Sequence, residues 1–547
     1  MPTFRSPIIG SYNNRSFAAV GGKDQAAKGC IITPIVNRLG RKVTYYVEKR
    51  PGLVAQFTLN AGATGLGIYR SPSTGHVYGI VYETDVRLWD SVSGPTNIDC
   101  GILSAASTPY TSFTEVVISG ITYILITVGT VGTSGTGWYL ASDATTGLTF
   151  TGDTHTNTTI DNVSSLTGLY VGQAISGSGI AANTRIATIT APSTITTTVA
   201  TTATAAGVTI TREAVAKQID SDFPADIVGG FAELDGWIGV MTYANKFNNT
   251  DLNTVATWDA LNFLTASKYS DNGVGAKRYK DRIVLFSSAS IEILYNAGNP
   301  SASPFTSSDN AVGATALVPK TAKASASAAG TLFWVGVDGN IYKFDGVTPV
   351  KHSVLGTSIS GGANCYVTAF SFNKKQYLNI YAVTSDASTT YWYCIDDDTF
   401  VDPNFGTNAS FATTFDAQLT YFLLGDTSGK VYSISENLGA SSSFLDNASA
   451  FDMVNRISTD METQKRKFPS ELRILADVQA SGNIAVQWSD DDGVTLSTAR
   501  NISLTSIGVM FMRGLGSFEG TRQWKFVHNA NTPNRVKAIE IDYEVAE

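Results

Sequence analysis

A two-strand pattern recurs along this chain at nearly constant spacing, and it constrains the fold more than any other feature. Each of seven stretches has an apolar, aromatic-rich strand, a turn and a second strand that ends in a polar loop. Matched positions in the first strands are Tyr78, Ile124, Trp237, Val284, Phe333, Leu378 and Phe422, with steps of 46, 113, 47, 49, 45 and 44 residues. A period near 45 residues with hairpin content is typical of propeller blades with four strands. The pattern therefore predicts an all-β chain built on a β-propeller of six or seven blades.

Composition and turn chemistry support this interpretation. Charged residues make up only 15% of the chain, and 50 of its 547 residues are glycine, which excludes a helical bundle, a coiled coil or a disordered acidic tail. Asp338-Gly339 lies between the alternating strands VGV and NIYKF, and predicts a two-residue hairpin turn. A row of stacked β-sandwiches is the alternative, although it does not require so even a period.

The one long step has a separate cause. From Thr151 to Thr211 the chain has 23 Ser or Thr in 61 residues, with Tyr170 as the only aromatic side chain and Arg185 as the only basic one. Removing the 65 residues 148–212 reduces the step from 113 to 48 residues and restores the period. The sequence therefore predicts an independently folded insertion in a loop between strands, flanked by propeller segments over 61–147 and 213–452.

Short alternating strands with Gly and Asn turns predict a small β-sandwich or barrel for this insertion. The pattern G-Q-x-I-x-G-x-GI-x-x-x-T-x-I, from Gly172 to Ile186, resembles an immunoglobulin-like module inserted in phage structural proteins. The module is expected either to take part in adhesion or to act as a passive spacer. After the propeller, residues 453–547 break the period again and predict a separate C-terminal β-sandwich.

Charge is unevenly distributed along the sequence. The net charge is −8, but residues 1–60 carry +7, residues 61–452 carry −14 and residues 453–547 carry −1. A basic segment joined to an acidic body favours docking to a separate acidic surface. We therefore predict a docking segment over 1–60, with candidate docking residues Arg38, Arg41, Lys42, Lys49 and Arg50. A merely solvated basic face is the alternative.

The residues that usually carry catalysis or bind metals are sparse. The four cysteines (Cys30, Cys100, Cys365, Cys394) and four histidines (His76, His155, His352, His528) are far apart in sequence. Reduced buried thiols and structural histidines are expected, with no metal site, no cofactor and no catalytic residue. No apolar run follows Met1, and the uncharged stretch 116–142 is broken by five glycines, so neither a signal peptide nor a membrane span is predicted.

Two acidic triplets invite a binding hypothesis. Residues 396–398 and 490–492 are both Asp-Asp-Asp, a pattern compatible with Ca²⁺ but also with a charged hairpin tip. The segment Ser489 to Thr495 resembles the Asp-box hairpin of sialidase-type propellers, with Leu496 where Trp is usual. In that hairpin the Asp side chain caps its own turn, which is a structural role. Glycoside hydrolysis also needs a pair of carboxyl groups in a pocket, and the sequence nominates no such pair.

Three blocks together resemble the tail hub, or nozzle, proteins of short-tailed bacteriophages, also called packaged-DNA stabilisation proteins. The first is VNRLGRKVTYYVEKRPGL, whose RPGL occupies residues 50–53. The second runs from DGWIGVMTYANKF through WDALNFLTASKYSDN and DRIVLFSSASIEILYNAGNPSASPF to TLFWVGVDGNIYKFDGVTPVKHS. The third is QWSDDDGVTLSTARNISLTSIGVMFMRGLGSFEGTRQWKF. It departs from the family pattern at Leu496 and at Asp492, which replaces the first Gly of a Gly pair.

The resemblance implies a structural virion protein of the tail, assembled in the host cytoplasm as a ring that usually has six copies. Its expected partners are the adaptor, or head-to-tail connector, tail fibre or needle proteins, and double-stranded DNA that passes through the lumen without sequence-specific binding. The ring would close the DNA-filled head and form the channel for genome ejection. Two other functions stay open: a glycan-binding or sialidase-like propeller, and a receptor-binding tail adhesin.

Overall fold

In the computed structural model of the chain, the described residues are 3–6, 26–36, 42–91, 97–104, 110–130, 134–141, 148–182, 184–266, 268–269, 271–299, 302–308, 312–313, 319, 324–344, 346, 349–354, 364–383, 388–405, 409–414, 419–424, 429–435, 443–446, 448–459, 465–491, 493–507 and 510–546. Within these ranges every named regular element is a β-strand. The chain is therefore all-β, as its richness in Val, Ile, Thr and aromatic residues favours.

The strands before the propeller and its first sheet are β1 (Thr3–Ser6), β2 (Ala26–Lys28), β3 (Cys30–Val36), β4 (Lys42–Lys49), β5 (Leu53–Thr58), β6 (Thr64–Arg70), β7 (Val77–Tyr82), β8 (Val86–Ser91) and β9 (Asn97–Ser104). The next sheet and the insertion that interrupts it comprise β10 (Tyr110–Ile118), β11 (Ile121–Thr130), β12 (Ser134–Ala141), β13 (Thr149–Thr154), β14 (Thr159–Asp161), β15 (Ile175–Gly177), β16 (Ile186–Thr190), β17 (Thr194–Thr197), β18 (Ala205–Arg212) and β19 (Ala216–Lys217).

The remaining propeller strands are β20 (Ile227–Leu234), β21 (Trp237–Thr242), β22 (Lys246–Thr250), β23 (Trp258–Thr265), β24 (Gly273–Tyr279), β25 (Arg282–Ser287), β26 (Ser290–Asn296), β27 (Phe305–Ser307), β28 (Val312–Gly313), β29 (Ser325–Ala328), β30 (Thr331–Val335), β31 (Asn340–Phe344), β32 (Pro349–Val354), β33 (Asn364–Phe372), β34 (Lys375–Val383), β35 (Ser388–Cys394), β36 (Thr399–Val401), β37 (Ala409–Thr414), β38 (Leu419–Leu424) and β39 (Lys430–Ser435). The C-terminal strands are β40 (Leu445–Asp446), β41 (Ser449–Ala450), β42 (Met453–Thr459), β43 (Lys467–Ala476), β44 (Asn483–Ser489), β45 (Arg500–Ser503), β46 (Phe511–Arg513), β47 (Arg522–His528) and β48 (Arg535–Val545).

Seven antiparallel sheets follow one another in the described part of the chain. Their orders are β6-β7-β8-β9, β10-β11-β12-β19, β20-β21-β22-β23, β24-β25-β26-β27 with β28 also on β26, β29-β30-β31-β32, β33-β34-β35-β36 and β37-β38-β39-β5. Each sheet shares a buried apolar cluster with the next, and the seventh shares one with the first. The sheets therefore form a closed β-propeller.

The N-terminal part of the chain closes this ring. Strand β5 pairs with β39, so that Leu53 lies opposite Ile434 and Thr58 lies opposite Lys430. The last sheet is therefore made of three strands from the end of the propeller sequence and one strand from its beginning. Closure of this kind joins the two ends of the propeller sequence within one sheet.

The sequence repeat coincides with one structural position. All seven matched residues, from Tyr78 to Phe422, lie in the second strand of their sheet. The repeated hairpin is thus the second and third strands of each sheet. The connection at Asp338-Gly339 differs from the prediction, because it spans residues 336–339 rather than two. The Asp338 side chain accepts a bond from Asn340 N at 3.0 Å, which stabilises this longer turn.

The insertion forms a sheet of its own between the third and fourth strands of the second propeller sheet. Its strand order is β15-β18-β13-β14-β17-β16, and its apolar cluster consists of residues of the insertion alone. It contacts the propeller where the Tyr170 ring lies 5.2 Å from that of Trp138, edge to face. Within the insertion, Arg212 donates to the Gly168 carbonyl at 2.8 Å.

The sandwich differs from the predicted domain organisation. Sheet A has the order β3-β4-β48-β43-β46 with β1 also on β48, and sheet B has the order β2-β42-β47-β44-β45. The N-terminal strands therefore belong to the same body as residues 453–547, rather than to a separate docking segment over 1–60. The physical reason is burial: Ile31, Ile32 and Val47 are at most 1% exposed, in the apolar cluster that joins the sandwich to the last two propeller sheets.

In the part of the chain that the structure describes, no helix has the length and apolar character needed to cross a membrane.

Candidate functional site at the junction of propeller and sandwich

The predicted docking residues fall into two groups. Arg38 and Arg41 lie outside the described residues, and Lys42 lies in β4, where only its backbone is described. Lys49 and Arg50, at the end of β4, are 1% and 0% exposed. The prediction that these last two residues present charge to a partner is therefore corrected. Charged side chains are almost never fully buried unless they are paired, and both of these are held inside the junction.

Arg50 is the centre of that junction. Its guanidinium makes a bidentate pair with Asp446, at 2.8 Å for Nη1 to Oδ1 and 2.5 Å for Nη2 to Oδ2. It also donates to the Pro403 carbonyl at 2.5 Å, and it lies between the rings of Phe405 and Phe451 at 4.6 and 3.9 Å. The paired carboxylate and the accepting carbonyl offset the free-energy cost of removing this guanidinium from water. It joins the loop after β36 to both segments that connect sandwich and propeller.

The glycine of the RPGL segment, Gly52, is required where this segment passes close to residues 443–445. Gly52 N donates to the Ser443 carbonyl at 2.7 Å, and a Cβ at Gly52 would lie 2.0 Å from the Leu445 carbonyl oxygen. The two chain segments therefore approach too closely for any side chain there. The RPGL segment is explained by packing at the junction.

Lys49 is held in the same way. Its Nζ donates to the Ala530 carbonyl at 2.8 Å and lies 4.4 Å from the centre of the Phe451 ring. Burial, followed by repulsion from Arg50, lowers the pKa of Lys49 to about 8. The lysine therefore stabilises the junction as a partly desolvated cation and is not displayed to solvent.

Glu48 lies on the opposite side of the same strand and is 9% exposed. Burial raises its pKa to about 7, against opposing attraction from Arg535 and Lys375. Its Oε1 atom is buried without a hydrogen bond. Because Lys375 belongs to β34 of the propeller and Arg535 to β48 of the sandwich, Glu48 is a titratable group between the two bodies.

Through these contacts the junction fixes how the sandwich is attached to the propeller. It holds residues 50–53 and 443–452, the two segments where the chain crosses between sandwich and propeller, against one propeller sheet. No local pattern in the sequence indicated a role for Asp446 or the burial of Glu48, because the residues that they contact are hundreds of positions away. Only Gly52 and its proline neighbour marked the crossing.

The Asp-box hairpin has the local role that its sequence indicates. The Asp491 carboxylate accepts bonds from Ser489 Oγ at 2.6 Å and from Thr495 N at 2.9 Å. These bonds lower the pKa of Asp491 to about 2. Asp490 pairs instead with the buried Arg522, at 2.7 Å from Nη2. The hairpin belongs to the sandwich, and its carboxylates hold the turn together.

The other acidic triplet, in the turn between β35 and β36, is bonded to the neighbouring strand β34 of its own sheet. Asp397 pairs with Lys375 at 2.6 Å, and Asp396 accepts from Gln376 N at 2.9 Å. Among the described residues, no group of three or more His, Cys, Asp or Glu side chains has the arrangement of a metal site.

Each histidine has a separate partner: His76 bonds Asp90, His155 bonds Asp161, His352 bonds Tyr393 and His528 bonds the Asn483 carbonyl. All four cysteines are buried thiols. Burial raises the pKa of the Cys394 thiol to about 11, which suppresses the reactive thiolate.

In the folded chain the charge asymmetry of the sequence lies between the sandwich and the propeller. Residues 1–52 carry +7 and residues 453–547 carry −1, so the sandwich sequence carries +6 while residues 53–452 carry −14. One propeller face bears the connections from second to third strands and from each sheet to the next. Asp402 pairs with Lys28 of β2 at 3.1 Å in the junction; apart from it, the described residues of these connections contain seven acidic side chains (Glu83, Asp85, Asp220, Asp222, Asp226, Asp271, Asp338) and one basic side chain, Lys268. We name this surface the acidic face.

Comparison with known proteins points to phage tails. A family model described as Bacteriophage P22 Gp10, beta-propeller, matches residues 182–341, less than a third of the chain. The match extends from the second half of the insertion to β31. It supports a structural phage tail protein with a β-propeller, and thereby a component of the virion. No curated protein matches the sequence.

The solved structures that match this chain share little sequence with it. A chain of the mitotic checkpoint complex matches at 11% identity and a TM-score of 0.31, over 71% of this chain and 93% of that one. Saccharomyces cerevisiae Sqt1 matches at 9% and 0.34, over 70% and 99%. YCF48 bound to D1 peptide matches at 11% and 0.34, over 72% and 100%. At these TM-scores the likenesses say nothing about function.

Proposed function

We propose that this chain is the nozzle, or hub, protein of a short phage tail, built on a seven-bladed propeller. Several copies, six in the expected ring, attach below the portal and adaptor. The ring closes the DNA-filled head and later forms the channel for genome ejection. The observation that carries the proposal is the family match to the Gp10 β-propeller over residues 182–341.

The charge distribution supports a conduit for DNA. A lumen lined with Lys and Arg would bind phosphates through counterion release and hold the DNA. The propeller sequence instead carries −14, so surfaces formed by it repel a polyanion within the Debye length of about 8 Å at physiological salt. In the proposed ring the acidic propellers therefore face the lumen or the outside, and DNA slides past without sequence-specific contacts.

The sandwich is the proposed attachment body. Its sequence carries +6, and the connection between β3 and β4 contains Arg38 and Arg41, with Lys42 at the start of β4. These three residues remain the proposed adaptor contacts, whereas Lys49 and Arg50 are assigned to the internal junction. Tail fibre or needle proteins complete the proposed set of partners.

The proposal is tested by imaging purified particles of the virus that encodes the chain, with the protein labelled. A ring of label between head and tail tip is expected, and particles made without the protein should lose packaged DNA. Label on fibres, or full particles that retain DNA without the protein, would overturn the proposal and favour a receptor-binding adhesin. Glycan turnover by the purified chain would favour the sialidase-like alternative.

A second experiment addresses the adaptor. The double variant Arg41→Glu with Lys42→Glu should weaken binding to the adaptor about tenfold or more, because it places negative charge at the proposed contact. Lys537→Glu, on β48 of sheet A, is the control, since it changes charge by the same sign at a residue engaged with Asp477. Unchanged adaptor binding by the double variant would remove the β3–β4 connection from the interface.

A further inference from the structure

Sheet B of the sandwich presents four polar side chains on the face that points away from its core. Arg456 lies opposite Lys525, and Ser458 lies opposite Gln523, on the paired strands β42 and β47. Their neighbours Ile457 and Trp524 belong to the buried core. Because alternate residues of a strand point to opposite faces, the four side chains form one patch. We name Arg456, Ser458, Gln523 and Lys525 the sheet B quartet.

The two cations of the quartet are unfavourably placed for an isolated chain. Arg456 and Lys525 are directly opposed across antiparallel strands, where like charges repel. Within the described residues neither of them forms an ion pair, whereas Arg473, Arg513 and Lys537 on sheet A all do. The quartet therefore carries two positive charges that the rest of the described chain does not neutralise.

Polar atoms of the quartet also lack partners. Arg456 Nε, Ser458 Oγ and both amide atoms of Gln523 are buried and make no hydrogen bond, and Gln523 as a whole is only 3% exposed. Buried polar groups are nearly always satisfied, so several unsatisfied ones in one place require an explanation. Because the chain itself covers these atoms, the groups open to an oxyanion from outside are the guanidinium of Arg456 and the ammonium of Lys525, two hydrogen-bond donors that are only partly buried.

The charge of the whole chain identifies the source of that oxyanion. Nucleic-acid phosphates need several cations in a row, but the quartet supplies two and stands beside the acidic Asp-box hairpin, where Ser489 lies opposite Gln523. Protein carboxylates are abundant on the acidic face of the propeller. The turn containing Glu83 and Asp85 and the loop 218–226 containing Asp222 hold no Lys or Arg.

We propose that the sheet B quartet of one copy binds carboxylates on the acidic face of a second copy of this chain. The contact joins two different surfaces of identical chains, so it is heterologous, and such contacts close into rings when the rotation allows it. The inference deepens the proposed function, since it names the contact by which copies assemble. A basic sandwich and an acidic propeller on each copy give every copy one surface of each kind.

The test uses the full-length chain in sedimentation experiments at about 50 and about 500 mM salt, which differ strongly in screening. The wild-type chain should self-associate at low salt and dissociate at high salt. Arg456→Gln with Lys525→Gln should weaken association about tenfold or more. Arg513→Gln with Lys537→Gln removes the same charges from sheet A and should leave association within about twofold.

A charge swap makes the test specific. Glu83→Lys, Asp85→Lys and Asp222→Lys together should abolish self-association, and so should Arg456→Glu with Lys525→Glu. Mixing these two proteins should restore a complex, because each supplies the surface that the other lacks. The substitutions on the acidic face lie in surface loops. If the substitutions in sheet B unfold the sandwich, the acidic-face variants alone decide whether the contact exists.

Three outcomes would overturn the contact: a wild-type chain that is monomeric at both salts, glutamine variants that associate like the wild type, or folded swap variants that do not pair. These outcomes are separate from failure of the proposed function. Particle imaging decides whether the protein occupies the tail, and a ring assembled normally from quartet variants would leave that role intact while removing the quartet from it.

Discussion

Two small β bodies accompany the propeller, and they are built in opposite ways. The insertion is one continuous stretch whose strands run from Thr149 to Arg212, and its apolar cluster contains no residue from outside it. The sandwich draws β1–β4 from one end of the chain and β42–β48 from the other, so that Thr3 lies opposite Asp542. A continuous body is separable in principle from its host, whereas a discontinuous one is tied to it at both crossings.

Because the two bodies are built differently, changes in them should differ in their effect on the stability of the propeller. Removing the insertion should cost only its contacts with the propeller. Disturbing the sandwich should also disturb the propeller, because β5 and the Arg50 junction connect the two.

The largest effect is expected from deleting residues 1–52. The deletion removes β1–β4 and exposes the core around Ile31, Ile32 and Val47, each worth about 1.5–3 kcal/mol when buried. We expect low solubility and no cooperative thermal transition by circular dichroism. A soluble product that melts like the full chain would show that the sandwich does not depend on its N-terminal strands.

The next effect is that of Arg50→Ala. The substitution leaves Asp446 beside Phe405 and Phe451 without its cation, and breaking a buried pair costs about 3–5 kcal/mol. Denaturant unfolding should show a loss of this size, with the conservative Arg50→Lys recovering only part of it because it lacks the bidentate geometry. Arg513→Ala, an exposed partner of Glu471, is the control and should change stability by less than about 1 kcal/mol.

A pH-dependent effect is expected at Glu48. Its pKa in the folded chain, about 7, is raised above the ordinary value of 4.5, so its contribution to stability is fully present below pH 4.5 and is lost as pH rises through 7. Glu48→Gln should remove this dependence, of the order of 3 kcal/mol. Melting temperatures measured between pH 5 and 8, roughly the interval that spans the shift, provide the comparison. Equal slopes in the two proteins would place the titration elsewhere.

The smallest effect is expected from replacing residues 148–212 with a short Gly-Ser linker. The propeller loses the edge-to-face contact of Trp138 with Tyr170, worth about 0.5–1.5 kcal/mol, together with the other packing of Tyr170 in the cluster of the first two sheets and the bond from Ala174 N to Glu213. The remaining chain should stay folded and melt within a few degrees of the full chain. Collapse of the propeller would show that the insertion is part of its core.

The contrast also explains what the sequence could predict. The propeller repeat was visible because each sheet is made mostly from adjacent residues, so Tyr78, Ile124 and their counterparts recur in the same second strand. The altered composition of residues 148–212 marked a continuous body. The sandwich left no such mark, because pairing across more than 400 residues, as between Ala26 and Arg456, has no local signature. Lys49 and Arg50 were misassigned because charge normally indicates exposure, and their partners, the Ala530 carbonyl for Lys49 and Asp446 for Arg50, are remote in sequence.

Closure of the last sheet by β5 has a consequence for synthesis on the ribosome. The chain makes β5 early, but its partner β39 emerges about 370 residues later, which at about 5–20 residues per second takes roughly 20–70 s. During that interval β5 has no native partner, and its exposed backbone is open to wrong pairing. We expect the nascent protein to need chaperone protection in the host until translation is nearly complete.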